Sequence, residues 1–223
     1  MNMMNLDELA KKNYLDKGSP SHNYAEKYDQ ILSHLRKKIT NVMEIGVFRG
    51  ASLKVWEEYF PNAIINGVDI DPECKISESG RIKISIADQG NETQLKELEK
   101  LGPFDLIIDD GSHIWKHQIL TFKTLFPFIK RGGIYIVEDT CSSYLPDQYG
   151  PPPTCIDYFR GLIDEVNYYG KITTKRTYHD GGWFTEDIIY GRREDWQETK
   201  TDIRSIQFMN GLIIVYKKPE GYV

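Results

Sequence analysis

A chain of 223 residues with 40% hydrophobic and 27% charged side chains can bury the core of one α/β domain and is scarcely long enough for two. Its net charge of −5 argues against a nucleic-acid partner, which needs a basic face to gain from counterion release. Mean hydropathy is −0.49, and no apolar run approaches the roughly 20 residues that span a bilayer, so no membrane partner is expected.

Residues 1–12 are polar and carry Asp7 and Glu8, which is unlike a secretory signal. Cys74, Cys141 and Cys155 are odd in number and lack metal-ligand spacing, so they read as reduced thiols and the protein as cytoplasmic. Residues 21–38 predict an amphipathic helix, because Tyr24, Tyr28, Ile31, Leu32 and Leu35 recur on one face, with Ser21 as its N-cap. Strand and helix then alternate. Strands are expected at 41–46, 63–68, 82–86, 104–108 and 134–137, with helices from Ser52 through Phe60, from Thr93 to Lys100 and from Ile114 through Phe128, and a turn at Arg131-Gly132-Gly133. Residues 205–209 and 212–216, joined by Asn210-Gly211, predict a hairpin. The expected fold is a Rossmann-like, doubly wound, mostly parallel sheet closed by a C-terminal antiparallel hairpin. Within one domain over 1–223, residues 1–40 form a helical cap, 41–140 the ligand-binding core, 141–200 a variable acceptor or lid segment, and 201–223 the hairpin.

Ligands of such sheets bind beyond the carboxyl ends of the strands, near the switch in strand order. The first strand ends Glu44-Ile45-Gly46-Val47-Phe48-Arg49-Gly50, followed by Ser52 on the next helix. Phe48 stands where a dinucleotide fingerprint needs its second glycine, so the turn suits a nucleoside with an amino-acid tail better than a pyrophosphate. Asp69, before Ile70, lies 23 residues beyond Gly46 at a strand end, where it could accept the ribose hydroxyls. Asp88 and Gln89 could border the base, and Asp109 closes the fourth strand beside the same pocket.

Asp110 follows the fourth strand and Glu138-Asp139 the fifth. If those strands are neighbours, three carboxylates meet at one sheet edge, where their repulsion calls for a cation. Oxygen ligands suit Mg²⁺ or Mn²⁺. His113, three residues after Asp110, has the titration range of a general base. His117 reads as a helix-surface or supporting residue, and His34 as surface.

Several of these segments resemble a known family. Asp16-Lys17-Gly18 with His22 and Tyr24, Glu44-Ile45-Gly46-Val47, Gly67-Val68-Asp69-Ile70-Asp71, Asp109-Asp110-Gly111-Ser112-His113, Gly132-Gly133-Ile134-Tyr135 and Val137-Glu138-Asp139 are similar to the magnesium-dependent sugar O-methyltransferases. That group includes methylating enzymes of macrolide deoxysugars and extends to cephalosporin-hydroxylase-like proteins. The resemblance implies S-adenosylmethionine as methyl donor and Asp110, Glu138 and Asp139 as metal ligands. It also implies His113 as the base and a sugar, free, nucleotide-linked or in a glycoside, as small-molecule acceptor. Ser143, Tyr144 and His179 in the variable segment, with His22 and Tyr24, are candidate acceptor contacts. Tyr149, Tyr158, Trp183 and Trp196 there suit carbohydrate stacking or an ordinary lid equally.

A catechol or other vicinal diol would chelate the same ion. A hydroxylase would need two histidines with its carboxylate, and only His113 accompanies these acids. A nicotinamide enzyme lacks its glycine, and a non-catalytic binding protein and assembly into a homo-oligomer are both left open by the sequence.

Overall fold

In a computed structural model, residues 4–19, 21–166, 177–179, 182–184 and 202–221 are described. The parallel strands are β1 (Asn41–Ile45), β2 (Ile64–Asp69), β3 (Ile82–Ile86), β4 (Phe104–Asp109) and β5 (Ile129–Val137). A short ribbon pairs β6 (Thr177–His179) with β7 (Gly182–Phe184), and a hairpin pairs β8 (Ile203–Met209) with β9 (Leu212–Lys217). The main sheet runs β3-β2-β1-β4-β5-β9-β8, with β9 antiparallel to β5. The expected doubly wound sheet with its terminal hairpin is therefore present, and β4 and β5 are neighbours.

Helices α1 (Leu6–Lys12), α2 (Tyr24–Leu32) and α3 (Ala51–Tyr59) cover one face, where Tyr28, Trp56, Tyr59 and Phe60 bury their rings. Helices α4 (Glu92–Glu97), α5 (Trp115–Leu125) and α7 (Cys155–Gly161) cover the other, around Trp115, Phe122, Tyr135 and Phe159. Two short helices, α6 (Pro146–Tyr149) and α8 (Ile163–Val166), flank α7. The central strands β1, β2 and β4 bury both faces along most of their length, as parallel crossover topology requires, while the edge strands β3 and β8 stay partly exposed. No helix among the described residues is long and apolar enough to cross a membrane.

Three local expectations need correction. Helix α2 starts at Tyr24, not at Ser21, and passes into a 3₁₀ turn at Ser33–Leu35. No side chain caps it; instead the Lys17 carbonyl accepts the first two amides, Tyr24 N at 2.8 Å and Ala25 N at 2.9 Å. The tight Asp16-Lys17-Gly18 turn thus does the work assigned to Ser21. Arg131-Gly132-Gly133 is not a separate turn but an irregularity within β5, where pairing skips from Phe104–Ile129 to Leu106–Ile134 and Gly132 takes φ +80°. Helices α4 and α5 end earlier than expected and continue as 3₁₀ turns at Leu98–Leu101 and Phe126–Phe128. The side chains of His179 and Trp183, and all of Trp196, lie outside the described residues.

Candidate active site

The strand order reverses between β1 and β4, so the loops leaving these two strands diverge and open a crevice. They first press together. A β-carbon at Gly46, whose φ is +94°, would lie 2.1 Å from the Asp110 carbonyl oxygen, so only glycine permits the approach. Asp69 Oδ2 accepts Val47 N at 2.8 Å and Phe48 N at 3.0 Å, and its Oδ1 accepts Asp71 N. Burial works against ionisation of Asp69, but these backbone donors outweigh it and hold its pKa below the usual value. The acid at the end of β2 thus fixes the glycine turn as well as facing the crevice.

Beyond that turn lies a cavity of about 600 Å³, lined among others by Gly46, Val47, Ser52, Asp69, Ile70, Asp88 and Gln89, and reaching Lys17, Asp110, His113 and Asp139. Glu44, Gly50 and Asp109 do not line it. Gly50 opens α3 with φ +72°, close against Ser77. Glu44 is fully buried and accepts Ser52 Oγ at 2.6 Å.

Asp109 and Gln89 brace the loop after β4. Gln89 donates to Asp109 Oδ1 at 2.6 Å and accepts Ser112 N at 2.9 Å and Ser112 Oγ at 3.0 Å. Tyr135 donates to the other Asp109 oxygen, and full burial pushes this carboxyl up to about 6. His117 Nδ1 pairs with Ser112 Oγ at 3.0 Å; it supports the loop, and burial lowers its pKa.

The acidic centre has two lobes that share Asp110. Atoms of Asp110, His113 and Asp139 lie within 4.8 Å of one another, as do atoms of Glu44, Asp110 and Glu138. The expected trio of Asp110, Glu138 and Asp139 is divided between these lobes. In the inner lobe the Lys17 ammonium donates to Asp110 and, at 2.7 Å, to Glu138 Oε1, and lies 3.6 Å from Glu44 Oε1. Tyr28 OH adds a 2.5 Å bond to Glu138 Oε1. Burial first, and the charge of Asp110 second, push the Glu138 carboxyl up to about 8 against the pull of Lys17 and Tyr28. Burial opposes the charge on Lys17, but Glu138, Asp110 and Glu44 hold its pKa well above the usual value.

In the outer lobe His113 Nε2 lies 3.4 Å from Asp139 Oδ2. Asp139 Oδ1 accepts Tyr24 OH at 2.8 Å, and His22 Nδ1 stands 3.7 Å from it. His22 and Tyr24, expected as acceptor contacts, therefore converge on the acid itself. Ser143 is buried and accepts Ile156 N, whereas Tyr144 is exposed; neither lines the cavity. Two further residues of the centre, Lys17 and Tyr28, carry no site signature of their own in the amino-acid sequence. The lone signal was that Lys17 belongs to the resembling Asp16-Lys17-Gly18 segment.

This strand order, with the antiparallel β9 set between β5 and β8, defines the class I methyltransferase fold. No family model matches the sequence. L-olivosyl-oleandolide 3-O-methyltransferase of Streptomyces antibioticus is 36% identical over 177 aligned positions, in a match that covers 73% of this chain and 46% of that protein. Mycinamicin VI 2''-O-methyltransferase of Micromonospora griseorubida is 33% identical over 177 aligned positions, in a match that covers 73% of this chain and 44% of that protein. The MycE methyltransferase of the mycinamycin biosynthetic pathway, solved with Mg, SAH and mycinamycin VI, superposes with a TM-score of 0.79 at 26% identity. That superposition covers 100% of this chain and 57% of the other. The chain belongs to the family of these sugar O-methyltransferases and spans about half the length of the curated relatives it matches.

Proposed function

We propose that this chain carries the catalytic centre of an S-adenosylmethionine-dependent O-methyltransferase acting on a sugar hydroxyl, free, nucleotide-linked or in a glycoside. The reading rests on one juxtaposition: His113 and Asp139 face each other, within ligating distance of Asp110, where the cavity of the glycine turn ends. The donor would lie along Gly46, Val47, Ser52, Asp69, Ile70, Asp88 and Gln89. Its sulfonium carries no phosphate, which fits a turn with Phe48 in place of a second glycine.

Asp110, Glu138 and Asp139 would hold Mg²⁺ or Mn²⁺, and the donor set fits: all oxygen, with Asp110 within reach of both lobes. A divalent ion there supplies a lowered pKa for a coordinated acceptor hydroxyl and a fixed orientation for it. The side chains do the rest. Nδ1 of His113 is buried, so Nε2 is the nitrogen left to accept the hydroxyl proton. Asp139 steers that ring and stabilises it once protonated, while Tyr24 and His22 hold Asp139 in place. Three free thiols accord with a place for this activity in the cytoplasm.

Calorimetry should show binding of S-adenosylhomocysteine and none of NADH. Methyl transfer to a panel of glycosides and nucleotide sugars should stop with EDTA and return with Mg²⁺. Transfer indifferent to EDTA would remove the ion from the mechanism, and transfer to catechols alone would replace the sugar.

A further inference from the structure

The inner lobe is built like a cation site, and an amino group fills it. Glu44 is 0% exposed and Glu138 1% exposed, and neither can be solvated by bulk water. Glu44 Oε1 and the Trp56 indole N–H both lack a hydrogen bond of ordinary geometry, although the indole lies near enough to favour the charged form of Glu44. A buried carboxylate oxygen without a partner is costly unless a positive charge faces it. The charge that faces it is Lys17 Nζ at 3.6 Å, which is itself bonded to Asp110 and Glu138. All three acids of the lobe thus point at one ammonium.

The sharing of Asp110 adds a second consideration. In two-metal sites a pair of ions about 3.5–4 Å apart commonly holds substrate oxygens between them. Here one carboxylate belongs to both the outer and the inner groups, in the position of a bridge. Three carboxylates and one ammonium leave the inner lobe short of neutrality by two charges when all are ionised, whereas a divalent ion in place of Lys17 would leave it short by one.

We infer that Lys17 is a resident cation occupying a second, inner metal position beside Glu44, and that it confines the divalent ion to the outer side of the centre, where Asp110, Glu138 and Asp139 would hold it. Its backbone reinforces the assignment. The Lys17 carbonyl caps α2, so the ammonium is delivered on a turn already fixed by the helix that carries Tyr24 and Tyr28. Lys17 is then a positioning residue: it orients Asp110 and Glu138 whether or not an ion is bound outside. The inference rests on the proposed function only for the outer ion.

Mn²⁺ titration followed by electron paramagnetic resonance or calorimetry distinguishes the alternatives. The wild-type chain should take up one Mn²⁺. Lys17→Met should take up two, melt at lower temperature than wild type in EDTA, and regain more of its melting temperature with Mn²⁺ than wild type gains. Lys17→Met/Glu44→Gln, which removes the unpartnered acid, should lose the second ion. A folded Lys17→Met that binds a single ion would overturn the inference, as would a destabilised one whose melting temperature Mn²⁺ does not raise beyond the wild-type gain. Failure of the wild-type chain to bind any ion would instead sink the outer metal site of the proposed function.

Discussion

His113 Nε2 faces Asp139 Oδ2 across 3.4 Å, and both residues hold left-handed backbone, at φ +56° and +51°. Non-glycine residues in that region carry strain of about 1–3 kcal/mol each, which the surrounding packing must sustain. Both sit where a strand has ended, His113 two residues before α5 and Asp139 two residues after β5. The two loops bend their side chains toward each other at the cost of local backbone energy. His113→Ala should therefore lower kcat/KM for methyl transfer by about 10²–10⁴-fold. Calorimetric affinity for S-adenosylhomocysteine should stay close to wild type. A variant with undiminished turnover would exclude His113 as the base.

The phenol of Tyr24 reaches Asp139 from α2, at the carboxylate oxygen that His113 does not face. Groups that orient a metal ligand typically contribute 10–100-fold in affinity. Tyr24→Phe should weaken Mn²⁺ binding by about tenfold while leaving the melting temperature in EDTA nearly unchanged. Equal affinity in the two proteins would show that Asp139 needs no such support.

Gly46→Ala would place its methyl carbon 2.1 Å from the Asp110 carbonyl oxygen at φ +94°. Backbone strain of about 1–2 kcal/mol and overpacking of about 1–3 kcal/mol act together, so a loss of several kcal/mol is expected from urea unfolding. Gly132→Ala is the control: its φ is +80°, but the nearest atom to the added carbon lies 3.7 Å away. It should show the strain alone.

Asp109 provides a pH test. Its carboxyl titrates near 3.8 in the unfolded chain and, buried, at about 6 in the folded one, a displacement equal to roughly 3 kcal/mol. Below pH 3.8 both states are protonated and no penalty applies. As pH rises, the unfolded chain gives up this proton first, so stability falls until about pH 6 and is flat beyond. In EDTA, the stability of Asp109→Asn relative to wild type should climb across that window by up to about 3 kcal/mol. Parallel pH profiles for the two proteins would contradict the raised value.

The sheet and the strand-end acids were legible because they depend on local pattern. Five apolar runs each stop at a glycine or an acid, and parallel order follows from the helices between them. Lys17 was not legible. Its partners lie 93 and 121 residues away, and a lysine between aspartate and glycine reads as a solvated turn until tertiary packing buries it. Gln89 has a second part that was hidden for a related reason. A polar residue just past a strand reads as a ligand contact, and Gln89 does line the cavity, but only packing shows that its amide also ties Asp109 to Ser112. The start of α2 was missed because its cap is a backbone carbonyl seven residues upstream, which no side-chain signature announces. The division of the acids into two lobes depends on which way Glu138 turns, and that is decided by Lys17 and Tyr28.

The Asn210-Gly211 turn between β8 and β9 has a consequence for biogenesis. Gly211 passes under the Tyr24 ring, where a β-carbon would fall 2.3 Å from the phenol oxygen, and its carbonyl accepts Thr140 N, next to Asp139. One contact point therefore joins residues 24, 139 and 211, translated at widely separated times. A nascent chain that already contains every acid and His113 still lacks the brace beneath Tyr24 and Asp139. During synthesis the centre stays unfinished until residue 211 has cleared the ribosome and folded back.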